Sequence, residues 1–138
     1  MDADLIRLSG VCPLFLEGLE GVDKGKIDSR WGIGPETKIS FILAREGTVY
    51  LHYRISNPIQ GQDLDILANE VTIKKYTNMP SQVDLNPWVS ARIAFKGIRG
   101  INTIIFRYKD WNYKTTAFIP QDSRRFAVNF TALQLLAE

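Results

Sequence analysis

The sequence predicts an all-β fold, a two-sheet antiparallel β-sandwich, and three observations carry that prediction. Short apolar segments alternate with polar ones at period two, the pattern of strands that bury one face. Turn chemistry such as Gly47-Thr48, Asn57-Pro58, Asn69-Glu70 and Gly97 to Gly100 separates these segments. Convincing helical periodicity is missing, although Phe130 to Glu138 could pass for a terminal helix by propensity alone. Roughly eight short strands divided by turns favour a sandwich over a helix-covered parallel sheet.

The elements follow in order. Val11 to Leu16 is an apolar run in which Pro13 disfavours a central strand, so an edge strand is expected, followed by a glycine-punctuated connection through Pro35. Ile39 to Ala44 and Val49 to Ile55 read as a strand pair joined by the hairpin-like Arg45-Glu46-Gly47-Thr48. In the second of these, Val49, Leu51, Tyr53 and Ile55 alternate with Tyr50, His52 and Arg54, so one face is core and the other wetter. Leu64 to Ala68, a turn at Asn69-Glu70 and Val71 to Lys75 form a compact meander. A prolyl connection from Asn78 to Pro87 leads to strands at Val89 to Lys96 and Asn102 to Tyr108, and Phe126, Val128 and Phe130 open the final strand toward Leu135.

Length and composition agree with one domain over residues 5–137. A chain of 138 residues can bury about two thirds of the surface its unfolded form exposes. Its 45% apolar and 23% charged residues are ordinary for a globular protein and argue against disorder. Seventeen Lys and Arg stand against fifteen Asp and Glu, scattered except for Lys74-Lys75 and Arg124-Arg125. That balance gives little of the attraction on which nucleic-acid binding rests.

Cys12 is the single cysteine, which excludes an internal disulfide and a cysteine-rich metal site; a small core side chain is expected there. The acidic start Met1-Asp2-Ala3-Asp4 does not resemble a secretory leader. No apolar run approaches the roughly 18 residues of a membrane-spanning helix. A soluble, cytoplasmic domain is expected.

Several residues carry a resemblance: Phe15, Glu20, Arg30-Trp31, the strand-turn element at Asn69-Glu70, Gly100-Ile101-Asn102, and Asp122 to Val128. Over residues 14–136 the chain resembles the galactose-binding-like β-sandwich modules, jelly rolls found at the ends of some bacterial glycosyltransferases and related surface-polysaccharide proteins. The resemblance implies that the early Arg-Trp and the late Asp-x-Arg lie near one another at one edge of the sandwich. It implies an accessory role for this chain rather than sugar transfer. Asn69-Glu70 departs from the family's usual Asn-Gly, which weakens the expectation of a tight positive-φ hairpin there.

Ligand contact is assigned to Arg30, Trp31, Trp111, Asn112, Tyr113, Asp122 and Arg124. Aromatic rings with polar handles on a loop suit a sugar face, and a guanidinium suits hydroxyls or an acidic sugar. Each has a structural alternative. Trp31 and Trp88 can close the sandwich, Trp111 to Tyr113 can plug its end, Arg30 can pair with Asp122, and Arg124 with Asp122 or Glu20, leaving Arg125 in solvent. His52 is the lone histidine, on the wetter strand face, and a surface or cross-strand role outweighs catalysis or metal binding. Asp63-x-Asp65 with Glu70 invites a calcium reading but lacks a dense acidic loop. Gly32-Ile33-Gly34 opens no predicted helix and is no phosphate cradle.

No spacing commits these residues to catalysis, and no cofactor or metal is expected. The function predicted is a non-catalytic carbohydrate-associated module that binds a glycan or positions a neighbouring glycan-processing domain. The alternative is a protein-interaction or assembly module without glycan binding.

Overall fold

The computed structural model of the chain describes residues 2–5, 9–10, 14–25, 27–81 and 89–137. Cys12, Trp88 and the prolyl connection through Asn86-Pro87, for which expectations were stated, lie outside the described residues.

Twelve strands are present among the described residues: β1 (Asp2–Asp4), β2 (Ser9–Gly10), β3 (Leu14–Glu17), β4 (Leu19–Asp23), β5 (Ser29–Ile33), β6 (Glu36–Leu43), β7 (Gly47–Ser56), β8 (Gln62–Ala68), β9 (Val71–Met79), β10 (Val89–Gly97), β11 (Gly100–Tyr108) and β12 (Phe126–Ala137). They form two antiparallel sheets. The first contains seven strands in the order β10-β7-β12-β1-β2, with β5 also on β12 and β4 on β5; the second runs β3-β6-β11-β8-β9. From β5 onward the chain passes from one sheet to the other at every connection except the β8–β9 hairpin. This is the sandwich the alternation predicts, with a jelly-roll-like arrangement of strands.

Two expectations are corrected: the glycine-punctuated connection through Pro35 contains the paired strands β4 and β5, and Ile39 to Ala44 does not form a strand pair with Val49 to Ile55. The β6 and β7 segments do not pair, because β6 lies between β3 and β11 while β7 lies between β10 and β12. The Arg45 to Thr48 connection therefore crosses between sheets. The segment from Phe130 onward is strand, as the expected extension toward Leu135 has it: it pairs with β7 from Asn129↔Ser56 to Ala137↔Val49, and burial of Leu133 and Leu135 at period two overrides its helical propensity.

The core lies between the sheets and follows the strand period. Ile39 and Phe41 of β6, Leu51, Tyr53 and Ile55 of β7, Ile104 and Phe106 of β11, and Leu133 and Leu135 of β12 are all buried. Edge-to-face contacts link Tyr53 to Phe106 at 5.7 Å and Phe106 to Phe130 at 5.1 Å between centroids, the arrangement favoured by ring quadrupoles.

β12 organises the first sheet because it is long enough to serve three neighbours. β7 runs along one side, while β5 and β1 share the other, pairing with Phe126 to Phe130 and with Gln134 to Leu136 respectively. Arg30 closes the gap between those two short strands. It is 7% exposed, its Nε donates to Glu20 O at 2.6 Å and its guanidinium donates to Leu5 O at 2.9 Å.

Candidate functional site

The loop between β11 and β12 carries most of the residues expected to contact ligand, and it is internally tied. Asn112 is 1% exposed. Its amide nitrogen donates to the carbonyls of Ile119, Asp122 and Arg124 at 3.0 to 3.2 Å, and its oxygen accepts from Ile119 N at 3.0 Å. All the polar capacity of that side chain is spent on shaping the loop, as buried amides require. Tyr113 has φ of 70°, is 48% exposed, and its hydroxyl donates to Pro120 O. Trp111 is half-buried against Gly34, with the Lys114 ammonium 4.8 Å from its ring centroid.

Trp31 and Arg124 come together through Phe126. Gly32 faces the interior, where a side chain would meet Tyr108, Phe130 and Thr37, so Trp31 beside it points outward. There its ring lies 4.4 Å from Phe126, and the Arg124 guanidinium carbon lies 4.4 Å from the same Phe126 ring. Arg124 also binds Asp122 at 2.9 Å, and this bond holds the Asp122 carboxyl below its ordinary range. The Arg-Trp and Asp-x-Arg segments are thus neighbours, as the resemblance implies. Arg30, however, turns to backbone carbonyls rather than to Asp122, and Arg125 is exposed. Of the seven residues assigned to ligand, Trp31, Trp111, Tyr113, Asp122 and Arg124 retain accessible surface, while Arg30 and Asn112 are buried in scaffold bonds.

Two of the three acidic residues weighed for calcium, Asp63 and Asp65, are engaged with lysines. Asp63 pairs with Lys109 at 3.9 Å and accepts from Asn78 N, and Asp65 pairs with Lys75 at 3.6 Å. Among the described residues no cluster of three or more His, Cys, Asp or Glu could hold a metal ion. No helix among them is long and apolar enough to cross a membrane.

A depression lies elsewhere, on the outer face of the first sheet. It measures about 750 Å3 and is lined by β10, β7, β12 and β1, within the size range of small-molecule sites. Register builds it: Arg92 pairs with His52, His52 with Gln134, and Gln134 with Asp4, giving one polar row across four strands. Because Leu51, Tyr53 and Leu135 point into the core, Tyr50, His52, Gln134 and Leu136 point out.

Within the row, His52 Nδ1 and Gln134 Oε1 are 3.1 Å apart. An amide oxygen only accepts, so Nδ1 is the donor in this bond. The Arg92 guanidinium carbon sits 4.3 Å from the centroid of the Tyr50 ring. Leu136, 38% exposed, supplies apolar floor. Sequence alternation marks Tyr50, His52 and Arg54 as the wetter face of one strand. It does not reveal that Arg92, Gln134 and Asp4 join them, because partners so distant in sequence are brought together only by register.

No family model matches the chain, and no curated protein matches it in sequence. Similar folds occur among solved structures. A family 35 carbohydrate binding module from an environmental isolate aligns with TM-score 0.50 and 17% identity, covering 91% of this chain and 92% of that one. An exo-beta-1,3-galactanase from Phanerochaete chrysosporium aligns with TM-score 0.50 and 10% identity over 94% of this chain and 30% of the enzyme. A family 35 module from Clostridium thermocellum gives TM-score 0.49 at 15% identity, covering 93% of this chain and 92% of that module. The likeness is one of fold: the chain is a β-sandwich resembling a family 35 carbohydrate-binding module.

Proposed function

We propose that the chain is a non-catalytic carbohydrate-associated module that binds a glycan in the groove across β10, β7, β12 and β1. The observation that carries this reading is the cross-strand row Arg92, His52, Gln134 and Asp4, which places donors and an acceptor on one open sheet face beside the apolar surface of Leu136. Hydroxyl-rich ligands need many directional polar partners on a pre-formed surface, and a sheet face provides these with little ordering cost. The fold likeness to a carbohydrate-binding module supports the same class. Trp31, Trp111, Tyr113 and the Asp122–Arg124 pair, assigned to ligand by sequence and still accessible, are the alternative place for it. A module of this kind delivers its ligand to a neighbouring glycan-processing domain, and the resemblance points to bacterial glycosyltransferases.

Isothermal titration calorimetry across a panel of neutral and acidic oligosaccharides tests the proposal. Saturable heat that His52→Ala and Gln134→Ala reduce is expected. Loss in Trp31→Ala or Tyr113→Ala with the groove variants intact would move the site to the loop end. No heat from any glycan would reject glycan binding.

A second reading, an assembly module, is favoured by the outer face of the other sheet. Phe15, Ile42 and Ile101 are 59%, 51% and 67% exposed there, with Ile42 and Ile101 paired across β6 and β11. Sedimentation that depends on protein concentration, with no glycan response, would select this reading.

A further inference from the structure

Sheet edges present unpaired backbone groups and are ordinarily blunted by shortness, bulges or charge. Most edges of this sandwich are. Strands β2 and β3 hold two and four residues, β4 meets β5 with a register shift between Leu19 and Val22, and β9 meets β8 with two register shifts and carries Lys74 and Lys75. β10 differs from all of these. It runs nine residues, Val89–Gly97, against β7 without a break in register, and no strand lies on its other side among the described residues. Alternate N–H and C=O groups along it therefore point away from the sheet.

Two side-chain features leave that edge open. The cations of β10 turn back over their own molecule: the Arg92 guanidinium carbon sits 4.3 Å from the centroid of the Tyr50 ring on β7, and Lys96 pairs at 3.8 Å with Glu46 of the connection that leads into β7. Neither charge is thrown across the free side, where an edge lysine would repel an incoming strand. The inward row is the second feature. Val89, Ala91, Ile93 and Phe95 pack against the core yet keep accessible surface, whereas their register partners Ile55, Tyr53, Leu51 and Val49 on β7 are fully buried. β7 has a strand on each side and β10 has one, so the cover that β10 lacks is that of a further strand.

We propose that a second copy of this chain supplies the strand, its β10 pairing antiparallel with the first about a twofold axis at Ile93. The strand's own side chains favour that partner and that register. Centred on Ile93, all nine residues pair: Val89 meets Gly97, Ala91 meets Phe95, Ser90 meets Lys96 and Ala94 meets Arg92, a small side chain opposite a larger one each time, with Ile93 on Ile93. No cation faces a cation. Centring on Arg92 would set Arg92 against itself, and centring on Ala94 would set Arg92 opposite Lys96, and like charges directly opposite are destabilising. Slipping by a single residue would place inward side chains beside outward ones. A twofold contact of this kind closes on itself, so the edge is used up rather than propagated into a fibre. The axis stands perpendicular to the sheet, so both outer faces look the same way. The two grooves then open side by side on one surface, a consequence that rests on the glycan-binding reading above as the dimer itself does not.

Sedimentation velocity of the full chain from about 5 to about 500 μM, with no glycan present, tests the pairing. A reversible monomer–dimer equilibrium is expected for the wild type. Ala94 is exposed on the outer side of β10, so its variants should melt with the wild type at low protein concentration. By symmetry each substitution there acts twice, on Arg92 of either copy. Ala94→Glu should lower the dimer dissociation constant by about threefold or more, an effect that fades as salt rises, and Ala94→Arg should raise it by a similar factor. Ile101→Lys, on the outer face of the other sheet, should leave the dimer unchanged.

A wild type that stays monomeric throughout would overturn the pairing, as would a dimer indifferent to the sign of the charge placed at Ala94. A dimer lost in Ile101→Lys and kept in Ala94→Arg would overturn it by moving the contact to the second sheet. None of these readouts uses a glycan. Their failure leaves the groove reading standing, and a silent glycan titration leaves the dimer standing.

Discussion

Asn102, fully buried, makes four hydrogen bonds. Its oxygen accepts from Ile98 N at 2.8 Å and from Asn69 Nδ2 at 3.0 Å, while its own amide donates to Ile98 O and Gly100 O at 2.9 and 3.1 Å. Asn102→Ala would leave these partners unsatisfied near the end of β11, so it is expected to cost about 2–3 kcal/mol in urea unfolding. The same network explains a turn that sequence left in doubt. Asn69 and Glu70 both adopt positive φ, 48° and 70°, without a glycine. Asn69 is held there by its bonds to Asn102 and to Thr103 N, whereas Glu70 has only its backbone in that conformation. A left-handed conformation costs a side-chain-bearing residue about 1–2 kcal/mol, and glycine forfeits about 0.5–1 kcal/mol in backbone entropy. Glu70→Gly should therefore stabilise the chain modestly, by about 0.5 kcal/mol, shifting the urea midpoint upward.

At the level of elements, β5 depends on close approach. A Cβ on Gly32 would meet the Tyr108 hydroxyl and would lie 2.9 Å from the Phe130 ring and 3.0 Å from Thr37 Oγ1. These neighbours are wedged between the sheets, so Gly32→Ala should destabilise by about 1–3 kcal/mol and lower the melting temperature. Strand existence was largely legible, because burial of Leu51, Tyr53 and Ile55 or of Ile104, Phe106 and Tyr108 leaves a period-two signature. Pairing was not. Arg45 to Thr48 has the residues of a hairpin turn, and the same residues serve equally when the chain turns from one sheet into the other. For the same reason, Arg30-Trp31 and Asp122-x-Arg124 could be placed together through family resemblance, whereas the groove row could not. Its members come from β10, β7, β12 and β1, and only the assembled register of the first sheet sets them side by side.

Across the whole molecule, buried tyrosine hydroxyls make stability depend on alkaline pH. Tyr53 of the first sheet and Tyr76 of the second meet hydroxyl to hydroxyl at 2.7 Å, and the Tyr108 hydroxyl meets Thr37 Oγ1 at 2.6 Å. Burial disfavours the phenolate and raises the ionisation of Tyr53 and Tyr108 well above the ordinary tyrosine value; for Tyr53 the bond to Tyr76 raises it further. Below about pH 10 these phenols are protonated in both folded and unfolded chains, so their contribution is fully present. Above that value the unfolded chain releases the protons and the folded chain does not, so stability is lost as pH rises. Each such tyrosine should contribute a slope of about 1.4 kcal/mol per pH unit. Tyr108→Phe isolates one of them, because Thr37 keeps its bond to Gly18 O at 2.8 Å and the ring volume is retained. Urea unfolding followed from about pH 9 to pH 11.5 should therefore show a shallower alkaline decline in Tyr108→Phe than in wild type. An unchanged decline would mean that Tyr108 ionises without opening the sandwich.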